Sequence, residues 1–216
     1  MKVLVTGTST GIGRGIAVKF LSEGYEVIGF DVENSSIDHE NYTHYLVDVA
    51  CKDQLPEIDD VDILVNNAGV QNSGRDIEVN LMGTIYCTEK YGVQPNIKSI
   101  VMTASVSAHN GAEFPEYCAS KGGVLAYTKN VALRVAQYGA TCNSISAGGV
   151  ITELNAHILE NKELWDQVMK ETLIPKWATV EEMADWTYFL AVTNKSMTAQ
   201  DVLIDNGEIA KANFVW

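Results

Sequence analysis

Short, continuously apolar runs alternate along the chain with longer stretches in which apolar residues recur every third or fourth position. Lys2-Val3-Leu4-Val5-Thr6 is a β-rich run. Ile12 to Leu21 follows, with Ile12, Ile16, Ala17, Phe20 and Leu21 at helical spacing. Gly24 stands where a left-handed residue would close that helix. Further strands are expected at Tyr25 to Phe30, Tyr42 to Val47, Asp62 to Asn66, Lys98 to Thr103, Thr141 to Ser146 and Asp201 to Ile204. Helices are expected at Ile77 to Tyr91, Glu116 to Tyr138, Glu153 to Glu171 (broken) and Val180 to Val192. The first five strands are apolar on both faces, the pattern of a parallel sheet covered by helices on each side. Strands separated by single helices imply right-handed crossovers. The expected fold class is therefore α/β, a doubly wound parallel sheet of about seven strands in three layers. No repeat, linker or low-complexity segment intervenes, so residues 1–216 are expected to form one domain.

Composition narrows the partners more than the fold. The 46% hydrophobic and 20% charged residues are globular usage, and 216 residues can bury a sizeable core. Fifteen basic against twenty-eight acidic residues give a net charge of −13, which argues against nucleic-acid and anionic-membrane partners. An anionic cofactor remains compatible, because backbone dipoles bind phosphate on an acidic protein. Cys51, Cys87, Cys118 and Cys142 lie far apart, as expected of free thiols rather than disulfides or metal ligands. No basic-then-apolar leader follows Met1 and no apolar run approaches bilayer length, so a soluble cytoplasmic protein is the expectation.

The candidate chemistry begins at the first strand-to-helix turn, Thr6-Gly7-Thr8-Ser9-Thr10-Gly11-Ile12-Gly13. Gly7, Gly11 and Gly13 let the backbone turn tightly and approach a pyrophosphate without a Cβ in the way. Free N–H groups at the new helix, around Ser9, Thr10 and Ile12, would face that phosphate, aided by the helix dipole. This is the start of a Rossmann-like dinucleotide site. Asp31 ends the second strand, where a carboxylate accepts hydrogen bonds from a ribose diol and repels a 2′-phosphate. The stretch Gly-Phe-Asp-Val-Glu-Asn carries no base, which favours NAD, with NADP the less favoured cofactor.

A second cluster lies further on. Tyr117 and Lys121 are four residues apart, on one face of a helix. A phenol with a pKa of roughly 10 is a poor base near neutrality, and an adjacent ammonium favours its phenolate. Lys121 can also orient a nicotinamide ribose. Ser105, at the end of the fifth strand, stands where parallel sheets place ligand sites and could steady a substrate oxygen; Ser107 competes for that role.

These motifs resemble the short-chain dehydrogenase/reductase family over essentially the whole chain: T-G-x-x-x-G-x-G as Thr6 to Gly13, N-N-A-G as Asn66-Asn67-Ala68-Gly69, and Y-x-x-x-K as Tyr117 to Lys121. The resemblance implies Ser105, Tyr117 and Lys121 as catalytic residues, with Asn80 holding a relay water. It implies Asp48 and Val49 as the adenine-contacting pair and Asn66, Ala68 and Gly69 along the adenosine ribose. It implies Val150 and Thr152 against the nicotinamide carboxamide and nearby phosphate. Two departures stand out. Ala147-Gly148-Gly149-Val150 lacks the family's proline, and the segment from Gly69 to Asn80 is only eleven residues, which opens one lip of the cleft.

The implied activity is hydride transfer between NAD(H) and a small secondary alcohol or ketone, with Tyr117 as general acid/base. Alternatives are a 3-oxoacyl-carrier-protein-type reductase and a non-catalytic NAD-sensing protein. Substrate choice would come from Val106 to Glu116, from Asn213-Phe214-Val215-Trp216, and from a lid at residues 153–177, whose Leu154, Ile158, Leu159, Leu164, Trp165, Val168 and Met169 could equally face the core and, as a lid, hint at a hydrophobic alcohol or ketone. Lys162, Lys170 and Lys176 could meet an acidic substrate. A homodimer or homotetramer is expected through the helix 116–138, whose Val124, Leu125, Val131, Ala132 and Val135 exceed what one sheet face requires.

Overall fold

The computed structural model describes residues 1–112 and 114–211. Seven strands form one parallel sheet: β1 (Lys2–Thr6), β2 (Glu26–Asp31), β3 (Tyr42–Leu46), β4 (Ile63–Asn66), β5 (Ser99–Ser105), β6 (Thr141–Ala147) and β7 (Asp201–Ile204). Their order is β3-β2-β1-β4-β5-β6-β7. The direction of winding reverses between β1 and β4, so the connections leaving the carboxyl ends of these two parallel strands diverge and leave a crevice.

Alternation of side chains along the strands divides the core in two. Val3, Val5, Val27, Ile63, Val65, Val101 and Ile145 face α1 (Gly11–Ser22) and α7 (Val180–Tyr188). Leu4, Ile28, Leu64, Ile100 and Met102 face the opposite layer, formed by α2 (residues 77–92) and α4 (Pro115–Val135). Three short helices, α3 (Ser107–Asn110), α5 (Ala156–Leu159) and α6 (Lys162–Val168), lie around the crevice, and a last turn, Phe189–Thr193, extends α7. Gly24 adopts φ +80°, and its N–H bonds the Leu21 carbonyl, closing α1 as expected.

Three features depart from the sequence expectations. β3 is an edge strand with Thr43 and Leu46 exposed, so it is half-polar rather than apolar on both faces. No helix joins β2 to β3, and only the turn Lys52–Gln54 interrupts the path from β3 to β4. Val47, Val49, Leu55 and Val61 from that path are buried and fill the layer a helix would occupy. Finally, β4→β5→β6 and β6→β7 advance in the same direction across the sheet, yet α2 and α4 lie on one face and α7 on the other. The last crossover therefore has the opposite hand to the two before it. Its long excursion through residues 148–179 supplies the chain length to change face.

Candidate active site

Loops at the carboxyl ends of β1, β4, β5 and β6 enclose a cavity of about 410 Å³. Thr6, Asn67 and Gly13 lock the first of these loops. The Thr6 hydroxyl accepts from the N–H groups of Asn67 and Ala68, both at 3.0 Å, and the Asn67 amide donates to the Thr6 and Gly7 carbonyls at 3.1 and 3.3 Å. Gly7 adopts φ +77°, and any Cβ at Gly13 would collide with the Gly7 carbonyl. Thr10 caps α1 without a side-chain bond, and no acidic residue occupies the helix's first turn. Its leading N–H groups are thus open to an anion.

Three groups of side chains meet across the cavity. Lys121 is 4% exposed, donates to the Thr103 carbonyl at 2.9 Å, and lies 5.7 Å from the centre of the Tyr117 ring. Burial pulls its pKa down to about 8, with the charge of Asp76 acting in the opposite direction. Ser105 lies at the end of β5, beside Ala147 of β6. Its hydroxyl lies 3.2 Å from that of Ser107, and the Ser107 N–H also donates to it at 3.2 Å. Gly7, Thr10, Gly11, Ile12, Gly69, Val150 and Thr152 line the same cavity. Trp177 fills the space over Gly149, where a Cβ would meet its indole; the second glycine after Ala147 therefore makes room for a wall.

The remaining sequence candidates flank this cavity. Asp31 accepts from the Ser9 N–H at 2.8 Å and the Glu33 N–H at 3.1 Å. Asp48 pairs with Arg75 at 2.8 Å and accepts from the Ala50 N–H at 3.0 Å. Burial opposes its ionisation, but Arg75 and Ala50 outweigh burial and hold its carboxyl below the usual range. Val49 is buried against Gly83. Asn66 is buried too and donates to Thr88 at 2.9 Å, bracing the sheet to α2. Asn80 lies in the first turns of α2, accepts from the Val70 N–H at 2.7 Å, and donates to the Val70 carbonyl and the Ser120 hydroxyl at 2.9 and 3.0 Å. Gly69 runs between Asn80 and Lys121; a Cβ there would stand 3.2 and 3.4 Å from them.

Sequence reasoning passed over Asp76, Asn67 and Trp177. Asp76 is 1% exposed and accepts from the Asn72 and Ser73 N–H groups at 2.9 Å and the Ser73 hydroxyl at 3.1 Å. It folds the shortened segment before α2. The doublet Asn66-Asn67 was the available signal for Asn67: one residue of the pair points into the layer and the next into the crevice. Asn213 to Trp216 lies outside the described residues, as does Glu113 within the Val106 to Glu116 stretch.

Residues 7–208 match the family model described as Enoyl-(Acyl carrier protein) reductase. The chain belongs to the short-chain dehydrogenase/reductase family of oxidoreductases. Among curated members, a 3-oxoacyl-[acyl-carrier-protein] reductase of Chlamydia pneumoniae is 31% identical over 240 residues, covering 95% of this chain and 96% of its own length. The ligand-free aldohexose dehydrogenase of Thermoplasma acidophilum superposes with a TM-score of 0.86 at 28% identity, covering 100% of this chain and 96% of that one. ElxO with NADP bound superposes with a TM-score of 0.86 at 26% identity, covering 97% and 99%. Among the described residues of this family member, no helix is long and apolar enough to cross a membrane.

Proposed function

We propose that the protein interconverts a secondary alcohol and a ketone with NAD(H), Tyr117 serving as general acid/base. The observation that carries this reading is the buried Lys121 ammonium beside the Tyr117 ring, in one cavity with Ser105 and the open N-terminus of α1. The glycine turn fits a dinucleotide, because Gly7, Gly11 and Gly69 present bare backbone to the cavity and the first N–H groups of α1 have no side-chain cap. A dinucleotide held by Gly7, Gly11 and the first N–H groups of α1 would supply the hydride donor or acceptor.

The chain's own residues handle the rest. In the oxidative direction Tyr117 takes the hydroxyl proton of the alcohol, and in the reductive direction it returns a proton to the carbonyl oxygen. Lys121, protonated, favours the phenolate, and its remaining N–H donors can orient the ribose. The Ser105 hydroxyl donates to the substrate oxygen as charge collects there, its rotamer fixed by Ser107. Asn80 holds the Val70 backbone and Ser120, and so positions Gly69 against Lys121. Residues 153–177 supply one wall through Leu154, Ile158, Val168 and Trp177 and serve as the substrate lid.

Asp31 at the ribose end supports NAD. A second reading, an NADP-linked reductase of acyl thioesters, draws on the curated relatives and on Arg14, whose guanidinium bonds Ser36 at 2.9 Å next to the Ser9 carbonyl. Steady-state assays at 340 nm with both cofactors, against a panel of secondary alcohols and ketones, separate the two. A higher kcat/KM with NAD is expected; equal or better use of NADP refutes the NAD assignment. Tyr117→Phe should lower kcat by at least about 100-fold, the scale of a lost general acid/base, while NADH binding persists. Retained turnover would remove Tyr117 from the chemistry.

A further inference from the structure

A second polar cluster lies behind the serine end of the cavity. Ser144 of β6 pairs in register with Met102 of β5 and Asp201 of β7, and Ser146 pairs with Ala104. All three polar side chains therefore share the sheet face that Met102 and Ala104 present to α4. The Ser144 hydroxyl donates to Asp201 Oδ1 at 2.6 Å. His109, in the single turn α3, places Nε2 2.8 Å from Asp201 Oδ2 and 3.1 Å from the Ser146 hydroxyl. A carboxylate only accepts, so Nε2 carries the proton and donates. Carboxylate and hydroxyl meet the same ring nitrogen, whereas a nucleophilic relay needs them on opposite ones. The cluster is thus a tie between α3 and the last two strands. α3 needs one, because a lone helical turn has no stability of its own. Its backbone meets β6 where the Val106 N–H donates to the Ala147 carbonyl at 3.0 Å, and Gly111 ends it at φ +68°. Ser107, buried at its first position, carries the hydroxyl and the N–H that hold Ser105 Oγ, each at 3.2 Å.

We infer that His109 is a positioning residue for Ser105: anchored on Asp201 and Ser146, it fixes the α3 turn and with it the Ser107 N–H that orients the Ser105 hydroxyl. This rests on the redox reading above, in which Ser105 donates to the substrate oxygen. To make that bond the Ser105 O–H leaves the Ser107 hydroxyl, while the Ser107 N–H goes on donating to Ser105 Oγ. A hydroxyl that accepts one hydrogen bond donates the next more strongly. The chain from Ser107 N–H through Ser105 O–H to the substrate oxygen therefore tightens as charge collects there. Misplacing the Ser107 N–H weakens the last link without touching the cofactor. Asp201, with 16% of its side chain exposed, holds its charge between the Ser144 and His109 donors. Removing the imidazole leaves one of its oxygens short of a donor, and α3 loses its hold on β7.

The test compares the full chain with His109→Gln, whose amide N–H reaches the place of Nε2, and His109→Leu, which fills the space without a donor. Ser105→Ala and Ser105→Ala/His109→Leu complete a cycle. With the alcohol or ketone that the panel above identifies, His109→Leu should lower kcat about tenfold, less than the ~10²–10³ lost with a whole oxyanion donor. KM for the cofactor and NADH affinity should stay unchanged, and His109→Gln should recover most of the loss. In the Ser105→Ala background His109→Leu should cost nothing further, because its effect passes through Ser105; a merely structural role would cost the same in both backgrounds. The inference is overturned by equal losses in both backgrounds or by no rescue with glutamine. Full turnover by Ser105→Ala would overturn it too, while leaving Tyr117 in the chemistry. Should no substrate turn over, the redox reading fails and amide exchange at Ser107, followed by NMR, decides the tie. Faster exchange in His109→Leu than in the wild type and His109→Gln upholds it; equal rates sink it.

Discussion

Lys121 shows at the scale of one residue why a functional side chain is costly. In the unfolded chain a lysine keeps its proton up to about 10.5, whereas burial lets Lys121 keep it only to about 8. Below pH 8 the native state carries the full desolvation penalty. Between these values the unfolded state binds more protons, so this residue's contribution to stability rises with pH. Lys121→Met removes the effect. Denaturation by urea should show the wild type gaining on this variant from about pH 8 to 10.5 and not below, while the variant is inactive; a constant difference across that range would contradict it. Asp76 opposes the loss of the proton, and it also ties the segment before α2 through three hydrogen bonds. Its role had no sequence signal, because a lone aspartate in a polar turn reads as solvated.

Elements are held by features of similar size. Thr179 and Glu182 form a reciprocal cap at the start of α7, the Thr179 hydroxyl accepting from the Glu182 N–H at 3.2 Å and the Glu182 carboxylate from the Thr179 N–H at 2.9 Å. α7 then packs on α1, where a Cβ at Gly15 would collide with Val180. Thr179→Ala should cost about 1 kcal/mol and lower Tm by about 2–4 °C, measured by circular dichroism; no change would mean that packing on α1 alone holds the helix end. The strands and helices were legible because periods of two and 3.6 are written in the apolar positions. The hand of the last crossover was not, since periodicity is the same on either face of a sheet.

For the whole molecule, the residues that suggested an oligomer have another use. Val124, Val131, Ala132 and Val135 are buried in the chain's own core. What α4 turns outward is Ala119, Ala126 and Leu133, the last 80% exposed. We keep the homo-oligomer as a proposal on this stripe. Light scattering at micromolar concentration should give a dimer or tetramer that Leu133→Lys weakens; a wild-type monomer would count against it. The charge of −13 acts at this scale as well, disfavouring anionic partners at long range.

The sequence alone determined the layered α/β architecture, the glycine turn, and the serine, tyrosine and lysine that the fold gathers, because strand ends and helix faces follow from local period and spacing. Tertiary structure decided which candidates share a cavity. Asp48 pairs with Arg75 and Asn66 with Thr88 beside it, while Val70, Val168 and Trp177 converge on it from segments far apart in the chain. Such convergence depends on how loops cross the end of a sheet, and that is fixed by packing and burial between distant residues rather than by any pattern along the chain.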